Sequence, residues 1–192
     1  MAARAPSSRK DAKRSRRAIL DAAQDLLQAN ERASYAEIAR AAGVGQATVY
    51  RHFPDRAELI AALLGEAIDR LERAAVADPL DSSTFTQLLR AAVSEQARCQ
   101  GLVSAIREDA SGRIRVAELR RRLLDLFREP FVEARRAGAV RVDLSLEEVP
   151  LLLAMVDGAL AQVSDPVDRG QTSARAMELL LDGVLPSGEV SN

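Results

Sequence analysis

The chain has 192 residues, 47% hydrophobic and 29% charged, with a net charge of −1. That balance excludes a disordered polymer and predicts a globular protein with a sizeable core, either one ordinary domain or a small one joined to a larger one. No apolar run is long enough to span a bilayer, no apolar signal core opens the chain, and the single Cys99 rules out an intrachain disulfide, so a soluble cytoplasmic protein is expected.

Tryptophan is absent and aromatic residues make up only 3%. The core must therefore be built of Leu, Val, Ile and Ala, a palette suited to helix packing, and the spacing of these residues predicts an all-α fold of about nine helices. Charge is not evenly spread. From Met1 to Asp55 there are ten Lys or Arg and six Asp or Glu, a net of +4, whereas the remainder holds 17 basic and 22 acidic residues, a net of −5. Positive charge is thus gathered at the amino-terminal end, where attraction to a polyanion would act.

Taken in order, residues 1–14 are basic, with Arg4, Arg9, Lys10, Lys13 and Arg14 against only Asp11, and lack an apolar stripe. They are expected to be a disordered arm, which either follows phosphates or a minor groove or serves as a solvated tail. Ile19, Ala22, Ala23, Leu26 and Leu27 recur at helical spacing and predict a first long helix from Asp11 or Ser15 to Ala29. Ser34 and Glu37 then stand in the S-x-x-E spacing of a capping box, in which each residue satisfies a free amide of the other. Ile38, Ala39 and Ala42 give the next short helix one apolar face, Gly43 can adopt the left-handed conformation that ends it, and a second short helix starts near Gly45 or Gln46. Two short helices joined by a brief glycine-containing turn are the sequence form of a helix-turn-helix, whose second helix enters the DNA major groove.

Ile38-Ala39, Ala42-Gly43-Val44, Thr48-Val49-Tyr50-Arg51-His52-Phe53-Pro54 and the acidic-apolar continuation resemble the DNA-binding segment of the tetracycline-repressor (TetR) family. The resemblance covers roughly Ser15 to Leu64; beyond it the chain is compatible with the family only through its helical character. It implies a three-helix DNA-binding domain at 15–55, a helical regulatory and dimerisation domain at 56–186, and a homodimer that binds a near-palindromic double-stranded operator and is released by a small apolar effector. Two departures stand out. Gly45 occupies a position where the family more often has Ser or Thr, which removes the hydroxyl cap, and the joint Asn30-Glu31-Arg32-Ala33 is shorter than the family's usual glycine-containing link.

Within this segment the candidate DNA contacts are Ser34, Gln46, Ala47, Thr48, Tyr50, Arg51, His52 and Arg56. Gln46 can pair bidentately with adenine, and Ala47 or the Thr48 methyl can touch a thymine methyl. The resemblance assigns Tyr50, His52 and Arg56 to phosphates, and Arg51 could reach a guanine or a phosphate. Val49 and Phe53, apolar at i and i+4, pin the helix to its domain. Asp55 and Glu58 repeat a capping pair ahead of a long helix carrying Leu59, Ile60, Leu63, Leu64, Ile68 and Leu71, which in the family connects the two domains.

Later elements are predicted at Thr84 to Gln100, around Leu102 to Ile106, at Ile114 to Ala137 with a kink at Pro130, from Val149 to Val163, and from Ser173 to Val184; residues 187–192 are expected to be a disordered tail. Arg120, Arg121 and Arg122 are expected on the outside of the long helix. The Val149 helix is apolar on nearly all sides, which predicts burial all round. With the final helix it resembles the family's dimer interface, represented by Leu152, Met155, Val156, Leu160, Met177, Leu180, Leu181 and Val184. Periodicity and the resemblance place the effector pocket among Phe85, Leu89, Gln96, Cys99, Ile106, Phe127, Phe131 and Met155. One His and one Cys, far apart, leave no nucleophile-base arrangement, and neither zinc spacing nor a phosphate-binding glycine loop is present. No enzyme, cofactor or metal is expected. Two alternatives stay open: a DNA-binding dimer without an effector, and a helical interaction module that no longer reads DNA.

Overall fold

The computed structural model describes residues 8–30, 32–77, 79–99, 102, 110–163 and 166–186. Among them are eight α-helices and no strand: α1 (Ser8–Ala29), α2 (Tyr35–Ala41), α3 (Gln46–His52), α4 (Arg56–Ala77), α5 (Thr84–Arg98), α6 (Ala110–Arg136), α7 (Val149–Leu160) and α8 (Pro166–Val184), with a 3-10 turn at Leu146–Glu148 before α7. The all-α class is as expected. The short helix predicted near Leu102 to Ile106 lies, apart from Leu102, outside the described residues, as do residues 1–7 and 187–192.

Two boundaries differ from expectation for local reasons. Helix α1 already runs from Ser8, ahead of the start expected at Asp11 or Ser15, so residues 8–10 of the expected arm are helical. Asp11 in the first turn complements the positive end of the helix dipole, and the Lys, Arg and Ala that follow are good helix formers. Helix α8 begins at Pro166, where a polar loop to Gln171 was expected. Proline suits the first position of a helix because its missing amide would have had no partner there, and Asp168 adds the favourable first-turn charge. Helix α6 is continuous through the buried Pro130, which has no amide to offer the Leu126 carbonyl.

The chain packs around two apolar clusters. The first joins Ile19, Leu20, Ala23 and Leu27 of α1 to Ile38 and Ala39 of α2, Val49 of α3, Phe53, and Leu59, Ile60 and Leu63 from the first half of α4. Cys99 and Leu102, at the end of α5 and beyond, close this same cluster. The second cluster holds Leu71 of α4, Phe85, Leu88 and Leu89 of α5, Phe127 and Phe131 of α6, and the inner faces of α7 and α8. At its centre the Phe85 ring meets Phe127 at 5.7 Å and Phe131 at 5.5 Å, both edge-on, the arrangement aromatic quadrupoles favour.

Helix α4 is common to both clusters and is flanked by ion pairs. Arg70 forks onto Glu95 of α5 at 2.7 and 3.0 Å, and Arg122 of α6 reaches Asp69 and Glu72 at 2.8 Å each. Arg122 was expected to point outward; the Asp69 and Glu72 carboxylates of α4 draw it towards that helix instead. Arg17 of α1 adds a contact to Glu66 at 3.4 Å and Arg115 of α6 one to Glu58 at 3.5 Å.

Because Phe127 is fully enclosed, its replacement by Ala should leave a cavity between α5 and α6 and cost about 3–5 kcal/mol. Urea unfolding of the variant should show this as a lowered midpoint with an unchanged slope.

Candidate nucleic-acid interface

The helix-turn-helix is set by short-range chemistry. Ser34 caps α2 as expected: its hydroxyl accepts from the Glu37 amide at 3.3 Å, while the Ser34 amide and hydroxyl both donate to the Glu37 carboxylate at 2.7 Å. These bonds hold the Glu37 carboxyl below the usual carboxylate range, the Ser34 hydroxyl contributing most. At the other end Gly43 has φ +65°, and the amides of Gly43 and Val44 return to the carbonyls of Arg40 and Ala39 at 3.2 and 3.0 Å. Only glycine adopts that left-handed backbone without strain.

Helix α3 starts at Gly45, which is extended and offers no side-chain cap, so its first turn rests on the backbone bond from the Thr48 amide to the Gly45 carbonyl at 2.8 Å. Val49 and Phe53 are buried in the first cluster, as their spacing predicted, and fix which face of α3 looks outward. That outer face carries Gln46, Ala47 and Arg51, all exposed, together with Tyr50 at 52% exposure; Thr48 and His52 are half-buried at its edges. No acidic residue lies in the first turn of α3, and Arg51 and His52 are in its last. Behind it, the Arg16 guanidinium of α1 sits 5.3 Å from the Phe53 ring centre, a cation–π contact that brings α1 charge close to α3.

Tyr35 was missed by the sequence reading. Its ring lies 4.8 Å from that of Tyr50 at 56°, so it braces the exposed tyrosine from below. Burial, reinforced by the Asp55 carboxylate, pushes the Tyr35 phenol up to about 12, which keeps it neutral. The available signal was that the chain's two tyrosines both fall in this motif. Arg56, expected at a phosphate, donates to the Ala33 carbonyl at 2.8 Å. The first turn of α4 packs against the entrance to α2, so this guanidinium joins those two elements.

The other predicted sites are distributed differently from the sequence reading. Phe85, Leu89, Phe127 and Phe131 are buried together in the second cluster. Gln96 donates to the Leu153 carbonyl at 2.8 Å, and its own amide oxygen is buried without a partner among the described residues. Cys99 belongs to the first cluster, and burial raises its thiol to about 11. Met155 is 64% exposed on the outside of α7, and Ile106 lies outside the described residues. Of the residues expected at a dimer interface, Val156, Leu160, Met177, Leu181 and Val184 are buried inside the chain's own second cluster, while Leu152 and Leu180 are half-buried at its margin. Helix α7 is therefore not enclosed on all sides: alongside Met155 it exposes Leu151, at 58%.

An all-helical chain with a helix-turn-helix whose second helix is pinned on one face and free on the other is a DNA-binding transcriptional regulator in class. Residues 19–63 match the model for bacterial regulatory proteins of the tetR family, and residues 78–186 match that for the SbtR-like transcriptional regulator C-terminal domain. The chain belongs to the TetR family, a family of regulators and not of enzymes. Among its relatives, the HTH-type transcriptional repressor LfrR of Mycolicibacterium smegmatis is 43% identical over 84 residues, a match spanning 43% of this chain and 44% of LfrR. An uncharacterized HTH-type transcriptional regulator of Mycobacterium tuberculosis is 28% identical over 81% of this chain and 85% of its own length. Of the solved structures, a TetR transcriptional regulator from Streptomyces coelicolor superposes with a TM-score of 0.66 at 28% identity, covering 90% of this chain and 99% of that one.

Burial, followed by the charges of Arg51 and Arg16, lowers the His52 imidazole below the ordinary value of 6.5. As pH falls, the unfolded chain takes up this proton before the folded one does, so the contribution to stability is complete above the ordinary value and declines as pH drops through it towards the lowered one. The thermal midpoint should therefore fall as pH drops from neutral through the ordinary imidazole value and below it, and His52→Gln should lose that part of the decline. Identical pH profiles for the two proteins would contradict the assignment.

Proposed function

We propose that this chain is a repressor that binds a near-palindromic operator as a homodimer and leaves it when a small molecule binds. The observation that carries the proposal is the outer face of α3, where Gln46, Ala47, Thr48, Tyr50 and Arg51 are held outward by the burial of Val49 and Phe53. Gln46, Ala47 and Thr48, at the start of the helix, would read base edges, whereas Tyr50, Arg51 and His52 would hold phosphates and set register. Ser34, committed to its cap, would present the start of α2 to the backbone of the duplex. Arg56 acts in this reading by fixing the entrance to α2.

Dimerisation would place two such heads in successive major grooves, about 34 Å apart. Its candidate surface is the outer face of α7, Leu151 and Met155, with Leu179 exposed on α8 and Leu152 and Leu180 at the margin. The buried residues of α7 and α8 would support this face from behind. Two-fold pairing of one patch is the commonest way to close an oligomer. An effector need only favour the arrangement in which the heads no longer match two grooves. The aromatic centre of the second cluster is closed around its own side chains, so a ligand entering there would have to part Phe85 from Phe127 and Phe131.

The test starts from sheared genomic DNA selected on the purified protein at fixed salt, because phosphate contacts bind any sequence at low salt. A recovered palindrome is the expected result, and recovery without a common sequence would favour the interaction-module reading. On that palindrome, Gln46→Ala should cost about 1–3 kcal/mol and leave non-cognate binding unchanged, whereas Tyr50→Phe should weaken every site alike. Met155→Glu, at an exposed position, should leave the melting curve intact but yield a monomer by light scattering and abolish tight operator binding. A dimeric variant would refute this interface.

A further inference from the structure

Away from the aromatic centre, a cleft of about 520 Å³ opens between the end of α1, the outer side of α5 and the first half of α8. The volume is within the range of small-ligand sites. Its lining is of two kinds. Val93 and Met177, both buried in the second cluster, form an apolar floor with the half-buried Ala97, and the exposed Ala174 stands at its edge. Arg90, Arg98 and Arg169 stand around it, against the single carboxylate of Glu178. That carboxylate is already paired with Arg175 at 2.8 Å, whereas neither Arg90 nor Arg98 has a carboxylate partner among the described residues. The cleft therefore presents uncompensated guanidinium charge above an apolar base, the complement of a molecule with an anionic head and a short hydrocarbon body.

The position matters as much as the chemistry. The cleft is bounded on one side by Gln28 of α1, a helix of the DNA-binding domain, and on the other by α5 and α8 of the regulatory domain. Beside it the Gln24 side chain of α1 donates to the Arg98 carbonyl at 2.7 Å, so α1 and the end of α5 are joined at the cleft wall. Leu179, on the proposed dimer face, lies about 200° around α8 from Met177 at the cleft floor, which leaves the cleft open in a dimer formed through the other face.

We propose that this junction cleft binds a small anionic amphiphile, a medium-chain carboxylate or phosphate ester, and that its occupancy alters operator binding. The second half of the proposal rests on the repressor reading above; the first does not. The anion is held by Arg90 and Arg98 and its chain lies on Val93 and Met177. Because the walls belong to both domains, a ligand that draws them together changes the tilt of α1, and with it the first cluster that carries α3.

The full chain would be titrated by calorimetry with sodium octanoate, octyl phosphate, octyltrimethylammonium and inorganic phosphate, for the wild type and for an Arg90→Gln/Arg98→Gln double variant. Both arginines are exposed, so the variant should fold, as its thermal melt would verify. The expected result is saturable binding of octanoate or octyl phosphate, one per protomer, at least tenfold weaker in the double variant. Octyltrimethylammonium and inorganic phosphate should bind at least tenfold more weakly, the first lacking the anionic charge and the second the chain. The preferred headgroup would distinguish a carboxylate from a phosphate ligand. No saturable anion binding, equal binding of the cation, or binding indifferent to the two arginines would overturn the site. Operator anisotropy at saturating ligand should show about a tenfold change in affinity that the double variant lacks; binding without that change would overturn the coupling. Calorimetry does not need DNA, so a failure of the operator reading would be seen separately from a failure of the cleft.

Discussion

Helix α4 passes without a break from one hydrophobic cluster into the other. Leu59, Ile60 and Leu63 are sealed in the first and Leu71 in the second, and each such side chain is worth about 1.5–3 kcal/mol relative to exposure. A rotation of α4 that suited one cluster would expose residues of the other. The two domains are therefore free to move only together with this helix. The pairs Arg70–Glu95 and Arg122 with Asp69 and Glu72 hold α5 and α6 to its second half. Being partly exposed, these pairs set direction more than stability and are subject to screening by salt.

The reading head depends on the same burial in another way. Helix α3 has seven residues and no side-chain cap, well below the length at which a helix holds itself in water. Its shape comes from Val49 and Phe53 on the inner side and from the Gly43 turn before it. What faces outward is thus decided by what is buried. The Tyr35–Tyr50 contact extends that control to an exposed side chain, since a ring braced from beneath would lose less freedom on meeting the phosphate proposed for it.

Much of this was legible because the chemistry is local. The capping box at Ser34, the glycine turn at position 43 and the i, i+4 pair Val49–Phe53 all act within four residues, and all appear as their spacing required. The family resemblance drew on the same short range. What the sequence hid was long-range pairing. Nothing near Arg122 signals that Asp69 and Glu72, some fifty residues earlier, would turn it inward, and nothing near Arg56 announces the Ala33 carbonyl. The apolar helix α7 misled for a related reason: hydrophobic periodicity measures how much of a helix avoids water, not which neighbour covers each side. Val156 and Leu160 are covered by the protomer itself, and Leu151 and Met155 are not.

Cys99 and Leu102 follow α5 in the chain but are packed with α1 to α4. The amino-terminal domain is thus completed by residues that come after the end of α4 and the whole of α5. A fragment ending at α4 would carry the entire helix-turn-helix and still lack two of the side chains that seal its interior, so cutting the chain between its domains would release a reading head with a hole in its base. The seam in the sequence and the seam in the packing do not coincide.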